Sequence, residues 1–502
     1  MWFLLWLVPV IVILMFIIII CVKAILFKPK VKHMPAQGNK GSHGEQGNVK
    51  SVINISKKSI KINNERAIKN FQALIRCETI TPETNDQSSP YEKHFEKFRA
   101  LLPKLYPLLH EHCSFERVGH GGLLFHWKGR QSQKPSVFMS HYDVVPAQED
   151  KWQKPPFSGI YENGEIWGRG TLDTKGTLCA ALEAAETLIA QGFVPENDIY
   201  FAFGGDEELI SDDAPAIVEL LKSRGVFPAL VLDEGGAIVE NVFPGVKGAI
   251  ALIGTGEKGR LNVKYTVSGL GGHASAPPIK TPIGTLARTV LKIEKHPFKA
   301  HICEPVKQMF DILGRHSTFM YRLIFANMCC FKGLFTWICK KSGGELNALV
   351  RTTCAFTQMQ GSPASNVIPP TASVTANMRL MSPDTENSVM AKLKEIVNDD
   401  NISLVCNNGV DPSPFSNTDT EGYNRVCNAI GTIWPEAIIS PYLMIAASDS
   451  RHFCKISDAV FRFSAMKMSR DDRGRIHGHD ERIKDEQFFE AIMFYQKIIS
   501  SS

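Results

Sequence analysis

The first 22 residues form an uninterrupted apolar run, MWFLLWLVPVIVILMFIIIICV, without a charged side chain. About 20 apolar residues in a helix are enough to cross the roughly 30 Å hydrocarbon core of a bilayer. We therefore predict a membrane anchor over residues 1–27. A cleaved signal peptide is the alternative, but no basic region precedes the run and no small-residue cleavage motif follows a short apolar core.

The segment after the apolar run is basic and has no apolar periodicity. Residues 28–60 are rich in Lys, Gly, Asn and Ser, which predicts a flexible linker. Lys23, Lys28 and Lys30 follow the run and no cation precedes it, so the positive-inside tendency slightly favours a cytosolic body. An extracytoplasmic or lumenal body stays open.

Beyond the linker, short apolar runs alternate with helical patterns. SVFMS, DIYFAFGG and ALVLDEGG are typical of buried strands, and GTLCAALEAAETLIAQG is typical of a helix that ends at a glycine. Strands separated by helices predict an α/β fold with a mainly parallel sheet. We assign residues 61–255 and 379–502 to this larger domain.

The pattern changes between the two parts of that domain. KGRLNVKYTVS and TASVTANMRL alternate apolar and polar residues, as exposed antiparallel strands do, and helical stretches lie between them. We predict an inserted α+β lid or dimerisation domain over residues 256–378. Its apolar stretch FMYRLIFANMCCFKGLFTWIC is interpreted as packed lid helices.

Charge and cysteine content exclude two classes of protein. The net charge of +5 originates in residues 1–60, which carry eight lysines and one acidic residue, Glu45, so we expect no nucleic-acid partner. The twelve cysteines include no C-x-x-C pair. We therefore expect mostly free thiols, without a disulfide framework or a cysteine-bound metal.

Acidic and imidazole side chains follow the predicted strands at four places. They are His141 with Asp143, then Asp173, then the run Asp206-Glu207-Glu208, and finally Asp233-Glu234. One acidic residue after a strand is often a helix cap, but parallel sheets bind ligands at the carboxyl ends of their strands. With His477 and His479 near the C-terminus, these nitrogen and oxygen donors suit zinc or another divalent ion.

Seven motifs in this order carry a resemblance to a known family: HYDVVP, GRGTLDTKG, FAFGGDEE, LDEGG, GGHASAPP, ASDSRHF and IHGHDERI. The chain resembles the zinc-dependent aminoacylase and carboxypeptidase family over roughly residues 62–495. The apolar N-terminus and the segment from NALVRTT to NVIPP make it most similar to the carboxypeptidase S and N-fatty-acyl-amino-acid synthase/hydrolase branch. The resemblance implies cleavage of an amide bond next to a free carboxylate, in a short peptide or an N-acyl amino acid.

The resemblance also implies the metal ligands and the catalytic base. It implies two Zn²⁺ ions per subunit that share Asp173, the first also held by His141 and Asp233 and the second by Glu208 and His477. Family members differ in which of the two positions, Asp233 or Glu234, provides the metal ligand, so that choice stays open. Asp143 would orient His141, and Glu207 would be the general base for a metal-bound water.

Substrate contacts are the last roles that the resemblance implies. His273 would stabilise the oxyanion across a homodimer interface formed by the inserted domain. Arg379 and Arg451 would hold the substrate carboxylate, and Asn366 would add a polar contact. By residue type alone, His273 also suits a turn and each arginine a structural ion pair.

Two departures and one rival function complete the prediction. Gly205 stands where relatives commonly have a histidine, and LISDDAPA replaces their glycine-rich loop, so the loop geometry and substrate range are open. The rival is a catalytically silent, membrane-tethered binding protein with the same fold. Because the ligand residues and Glu207 are all present, the sequence favours the enzyme.

Overall fold

The computed structural model describes residues 2–29, 63–81, 91–209 and 211–502. The linker predicted for residues 28–60 lies outside the described residues, apart from Lys28 and Pro29. The helices are α1 Trp2–Leu26, α2 Asn64–Ile75, α3 Glu92–Leu105, α4 Pro107–His112, α5 Lys175–Ala190, α6 Asp213–Ser223, α7 Pro282–Lys295, α8 Glu304–His316, α9 Phe319–Phe325, α10 Met328–Ser342, α11 Gly344–Ala348, α12 Glu386–Val397, α13 Glu421–Ile433, α14 Arg470–Arg475 and α15 Asp485–Ile499. The strands are β1 Cys113–Val118, β2 Gly122–Trp127, β3 Gln131–His141, β4 Tyr161–Glu162, β5 Glu165–Trp167, β6 Asn197–Gly204, β7 Leu230–Glu240, β8 Ala249–Glu257, β9 Gly259–Ser268, β10 Gly272–His273, β11 Thr353–Gln360, β12 Val367–Ile368, β13 Thr371–Leu380, β14 Ile402–Val410, β15 Ile438–Met444, β16 Val460–Lys467 and β17 Arg482–Lys484.

The larger domain is built on an eight-stranded sheet with the order β1-β2-β6-β3-β7-β16-β8-β15. Strands β6, β3, β7 and β16 run parallel, and β15 runs parallel to β8. Helices cover both faces, so the strands are continuously apolar: in β3, Phe138 packs into one core and its neighbours Val137 and Met139 into the other. The predicted α/β fold with a mainly parallel sheet is confirmed.

The smaller domain is a four-stranded antiparallel sheet with the order β11-β13-β9-β14. Alternate residues of β9, including Leu261, Val263 and Tyr265, are buried against α7 and α12. This is the period of two that the sequence shows. The predicted α+β lid is therefore present as a separate layer with its own core.

The boundaries of the lid differ from the predicted ones at its C-terminal side. The first change of domain occurs at Lys258, between β8 and β9, close to the predicted boundary. The predicted second boundary at 378/379 falls inside β13, and β14 still pairs with β9, so the chain leaves the lid for the last time only after Val410. A helix followed by a strand fits either domain, and only the strand pairing assigns α12 and β14 to the lid.

The helices in the middle of the insertion do not belong to the lid core. Helix α8 packs on β15, and its Val306, Phe310 and Leu313 join the core of the larger domain together with Phe325 of α9 and Phe335 of α10. The apolar stretch in the insertion thus forms helices, as predicted, but they cover the edge of the catalytic sheet.

Helix α1 has the length and composition of a membrane span or a signal sequence over Val8–Leu26. Its last turns contact α9. The Asn327 side-chain amide donates to the Ile20 carbonyl at 3.0 Å, and Arg315 donates to the Lys28 carbonyl at 3.1 Å. The twelve cysteines are all free thiols.

Candidate metal centre

Strand β3 carries His141 at its buried end, where the imidazole faces carboxylates on both sides. Its Nδ1 lies 3.2 Å from Oδ1 of Asp143. Its Nε2 lies 3.1 Å from Oδ1 of Asp173 and 3.4 Å from Oε1 of Glu234. Asp143 therefore contacts Nδ1, and Nε2 is directed to a group of oxygen donors.

Asp143 is fully buried and has fixed partners. Its Oδ2 accepts hydrogen bonds from the Thr81 hydroxyl at 2.6 Å and from the Glu208 backbone amide at 3.1 Å. A carboxylate held in this way sets the orientation and tautomer of the histidine that it contacts. His141 is the last residue of β3 and Asp143 follows it by two, and the contact between them is the geometry that this spacing suggests.

A second group of donors adjoins the first through Asp173. Nε2 of His477 lies 3.1 Å from Oδ2 of Asp173 and 3.1 Å from Oε2 of Glu208. Asp173 thus directs one carboxylate oxygen to His141 and the other to His477. The structure contains two three-residue donor groups, His141-Asp173-Glu234 and Asp173-Glu208-His477, with Asp173 in common.

The residues Asp233 and Glu234 lie inside β7 and point in different directions. Glu234 faces His141, whereas Oδ2 of Asp233 accepts a hydrogen bond from the Ser450 backbone amide at 3.0 Å. Asp233, the ligand expected from the sequence, therefore lies outside both donor groups, and Glu234 stands in its place. Successive side chains of a strand point to opposite faces, so Asp233 and Glu234 do not both face His141. The pairing of β7 with β16 shifts in register just after Asp233, and in this register Glu234 is the acid on the side of His141.

We expect Glu234→Gln to weaken metal binding at one of two sites. The loss should exceed the roughly 10- to 100-fold that removal of an outer hydrogen-bond partner costs, because Glu234 is directed at the donor group itself. Metal content and titration of the metal-free protein measure the effect, with Asp233→Asn as the matched control. Stronger metal loss from Asp233→Asn than from Glu234→Gln would contradict this assignment.

Glu207 lies beside the two donor groups and belongs to neither. Its Oε2 is 4.0 Å from Nε2 of His141, and its side chain is 17% exposed. Burial, together with repulsion from Asp449 and Glu234, raises the pKa of Glu207 well above its usual value. The carboxylate is thus close to the cluster and not committed to a ligand position.

The chemistry of these residues fits divalent cations. Burial and repulsion from Asp173 raise the pKa of Glu234 to about 8, although the neighbouring His141 opposes this shift. The Oε1 atom of Glu208 is buried and has no hydrogen-bond partner among the described residues. Imidazole nitrogens and carboxylate oxygens are donors that zinc accepts.

A buried ion pair that the sequence reasoning missed connects the loops of Asp173 and His477. The Glu481 carboxylate accepts hydrogen bonds from the backbone amides of Gly170, Leu172 and Asp173 at 2.7 to 3.2 Å. It also pairs with Arg169 at 2.7 Å, and both side chains are almost fully buried. The signal was present in the motif IHGHDERI, where Glu481 follows His477 by four residues.

Three arginines form a cationic group where the lid meets the larger domain. Arg379 on β13 is the cross-strand neighbour of Arg260 on β9, and burial and repulsion from Arg260 and Arg451 lower the pKa of Arg379. Arg451 pairs with Glu257 at 3.4 Å. Within the described part of the chain, Arg379 and Arg260 have no hydrogen bond or ion pair from their side chains. Arg260 was missed because its pairing with Arg379 depends on the strand register.

This cationic group is connected to the metal centre along the chain. Arg451 directly follows Ser450, whose backbone amide holds Asp233. Glu257, the partner of Arg451, also accepts a hydrogen bond from the Ser448 amide at 2.9 Å. The cationic group therefore adjoins the segment that holds Asp233, the neighbour of Glu234 in the metal centre.

His273 and Asn366 lie apart from the centre, on the exposed ribbon formed by β10 and β12. The Ala274 backbone amide donates to the Asn366 carbonyl at 2.9 Å, and Nδ1 of His273 contacts the Ser275 hydroxyl at 2.7 Å. Among the described residues, neither side chain contacts the two donor groups. Their catalytic roles stay predictions.

Gly205, the departure noted before the acidic run, stands against the ring of Tyr142. A Cβ atom at this position would lie 2.7 Å from the Tyr142 hydroxyl oxygen, which is too close for any side chain. The Tyr142 hydroxyl donates to the Gly121 carbonyl at 2.6 Å. A histidine at position 205 is therefore incompatible with this tyrosine.

Comparisons with known proteins identify relatives of this chain. The model of the peptidase family M20/M25/M40 matches residues 137–501. The chain is 35% identical to the probable carboxypeptidase S-like 2 of Dictyostelium discoideum over 84% of this chain and 82% of that protein. It is 33% identical to an N-fatty-acyl-amino acid synthase/hydrolase of Xenopus tropicalis over 87% of this chain and 86% of that protein. An M20 family metallo-carboxypeptidase from Sulfolobus solfataricus has a similar fold, with a TM-score of 0.66 and 18% identity over 86% of this chain and 98% of that one.

Proposed function

Since this chain belongs to the peptidase family M20/M25/M40 and is a hydrolytic enzyme, we propose that it uses two zinc ions to cleave an amide bond next to a free carboxylate. The observation that carries the proposal is the pair of donor groups that share Asp173, with Glu207 beside them and outside both. The relatives are named as carboxypeptidases and as N-fatty-acyl-amino acid synthase/hydrolases. The proposed substrates are accordingly short peptides or N-acyl amino acids.

The metal ligands in this proposal are His141, Asp173 and Glu234 for one ion, and Asp173, Glu208 and His477 for the other. Zinc held there would supply Lewis-acid chemistry, which activates water at neutral pH and polarises the scissile carbonyl. Asp143 keeps Nε2 of His141 directed at the site through its contact with Nδ1.

Glu207 moves the proton in the proposed reaction. Its carboxylate is near the centre but free of a ligand position, so it is available to take a proton from the attacking water. It then passes that proton to the leaving nitrogen, which turns the amine into a better leaving group. A residue bound to metal through both oxygens could not perform this transfer.

The cationic group between the lid and the larger domain recognises the substrate carboxylate. Arg451 pairs with Glu257, whereas no carboxylate of the described chain lies within ion-pair distance of Arg379, on which Glu257 acts only from farther away. An arginine holds a carboxylate by two parallel hydrogen bonds. We assign this contact to Arg379, with Arg260 and Arg451 contributing positive charge.

In this proposal, His273 and Asn366 of one subunit act in the active site of a second subunit. Both are exposed on one ribbon of the lid, so a homodimer formed through the lid would present them to the neighbouring active site. There His273 would stabilise the oxyanion. Helix α1 would anchor each subunit to a membrane, with the side of the catalytic body left open.

Carboxylate recognition tests the function. The zinc-loaded enzyme should hydrolyse N-acyl amino acids or dipeptides with a free carboxylate and lose this activity on chelation. Arg379→Gln should raise KM for these acids by about 10- to 150-fold, the effect of losing hydrogen bonds worth roughly 1.5–3 kcal/mol to a charged group. The corresponding C-terminal amides should respond little to the substitution.

The control is Arg288→Gln on α7, an exposed arginine outside the cationic group. Equal hydrolysis of acids and amides would overturn carboxylate recognition. Metal-loaded protein that binds these compounds and hydrolyses none of them would instead favour the silent binding protein.

A further inference from the structure

Helices α9 and α10 form an apolar corner next to the end of α1. We propose that this corner is a second membrane contact, which enters the interfacial region of the bilayer and holds the catalytic body against the membrane. The proposal rests on the membrane anchor proposed for α1. It is independent of the hydrolytic reaction.

The depth of the corner follows from its contact with α1. Lys23 is the first charged residue after the apolar run, so it marks the level at which α1 reaches the polar boundary. Asn327, between α9 and α10, donates to the carbonyl of Ile20. At 1.5 Å per residue, Ile20 lies roughly 4–5 Å deeper than Lys23 along the helix axis. The corner therefore stands at the boundary of the apolar layer.

The contact between α1 and the body extends over more than one turn. Ile20 and Ala24 are buried against the body, whereas most of the described α1 surface is exposed. Past the end of the helix, the Arg315 guanidinium lies 4.3 Å from the centre of the Phe27 ring and donates to the Lys28 carbonyl. The contact at Ile20 and the contacts at Phe27 and Lys28 hold the body, and with it the corner, at a defined height along α1.

The surface of the corner is apolar and exposed. Its side chains with exposures between 38 and 70% are Phe319, Met320 and Tyr321 of α9 and Leu334, Trp337 and Ile338 of α10. The two helices meet at 107°, and α9 has seven residues, so neither crosses a bilayer. Short apolar helices of this kind lie in the interface, where Trp and Tyr are favoured.

The charges of the corner complement an anionic lipid surface. From Phe319 to Gly344 the chain contains no acidic residue, and it carries Arg322, Lys332, Lys340 and Lys341. Basic residues beside an inserted apolar face attract anionic headgroups. The bilayer is therefore the occupant that fits both the apolar and the cationic side chains.

Trp337 reports on this contact directly. The full chain is reconstituted into nanodiscs that contain phosphatidylserine and phosphatidylcholine, with or without bromine on the acyl chains. The difference between wild type and Trp337→Phe isolates the emission of Trp337, because the other tryptophans are common to both. We expect bromine to reduce this emission by about half, since the apolar face of an interfacial helix enters roughly 5–10 Å into the boundary.

The matched control is Leu270→Trp in the Trp337→Phe background. Leu270 is 88% exposed in the loop of the lid before β10, and a tryptophan there should keep its emission. Resistance of each sample to alkaline extraction reports integration through α1. Integrated protein in which Trp337 is quenched no more than the tryptophan at position 270, including protein whose corner is covered by a second copy, overturns the proposal. Protein that does not integrate overturns both the anchor and the second contact.

Discussion

Glu207→Gln is expected to lower kcat for amide hydrolysis by about 10²- to 10⁴-fold, the contribution of a positioned general acid–base. The amide of glutamine occupies the same volume but cannot take a proton from water at neutral pH. Because Glu207 lies outside both donor groups, metal content and KM should change little. Steady-state kinetics and metal analysis on the same preparation measure the three quantities.

The contrast with Glu208→Gln separates a base from a ligand. Glu208 contacts Nε2 of His477 within the second donor group, so its substitution should remove metal along with activity. If Glu207→Gln released metal to the same extent, Glu207 would be a ligand and the proposed proton transfer would be wrong. Retained activity in Glu207→Gln would equally contradict the role of the base.

Glu481→Gln is expected to destabilise the metal-free protein by about 3–5 kcal/mol, as the loss of one partner of a buried ion pair does. The substitution leaves the Arg169 guanidinium buried without its counter-charge. It also weakens the acceptor for the amides of Gly170, Leu172 and Asp173. Denaturant unfolding without metal measures the effect, so that metal loss does not contribute.

An exposed pair provides the control for this stability effect. Glu116 and Arg224 pair on the surface, with 38% and 44% of their side chains exposed, and Glu116→Gln should cost no more than about 1 kcal/mol. A double variant, Glu481→Leu with Arg169→Met, should recover part of the lost stability because no unpaired charge remains buried. An effect of Glu481→Gln as small as that of Glu116→Gln would show that the pair does not support the loops.

The buried pair also explains how distant segments form one centre. Asp173 and His477 are far apart in sequence. Glu481 lies four residues after His477, and its carboxylate accepts hydrogen bonds from the loop that carries Asp173. A ligand held by such contacts keeps its geometry before the metal arrives, which favours binding. The ordered motifs of the sequence therefore include a structural part as well as donors.

Patterns along the chain were sufficient for the parts of the fold that depend on local periodicity. The buried strands β3 and β6, the helix α5 between them and the alternating strand β9 all follow from residues close in sequence. The types of the donors are equally readable in the sequence, because His141, Asp173, Glu208 and His477 each lie in one of the seven motifs. Composition indicated mostly free thiols, and all twelve cysteines are free in the structure.

Where local patterns allow two side chains for one site, or two domains for one element, only tertiary contacts distinguish them. The choice of Glu234 over Asp233 depends on how β7 pairs with β16, and the pairing of Arg260 with Arg379 depends on the register of β9 and β13. The assignment of α8 to the catalytic sheet and of β14 to the lid likewise depends on partners far away in sequence. Hydrophobic periodicity identifies a buried face, but a shift of one residue in strand pairing exchanges the two faces, so only long-range packing determines which side chain enters the site.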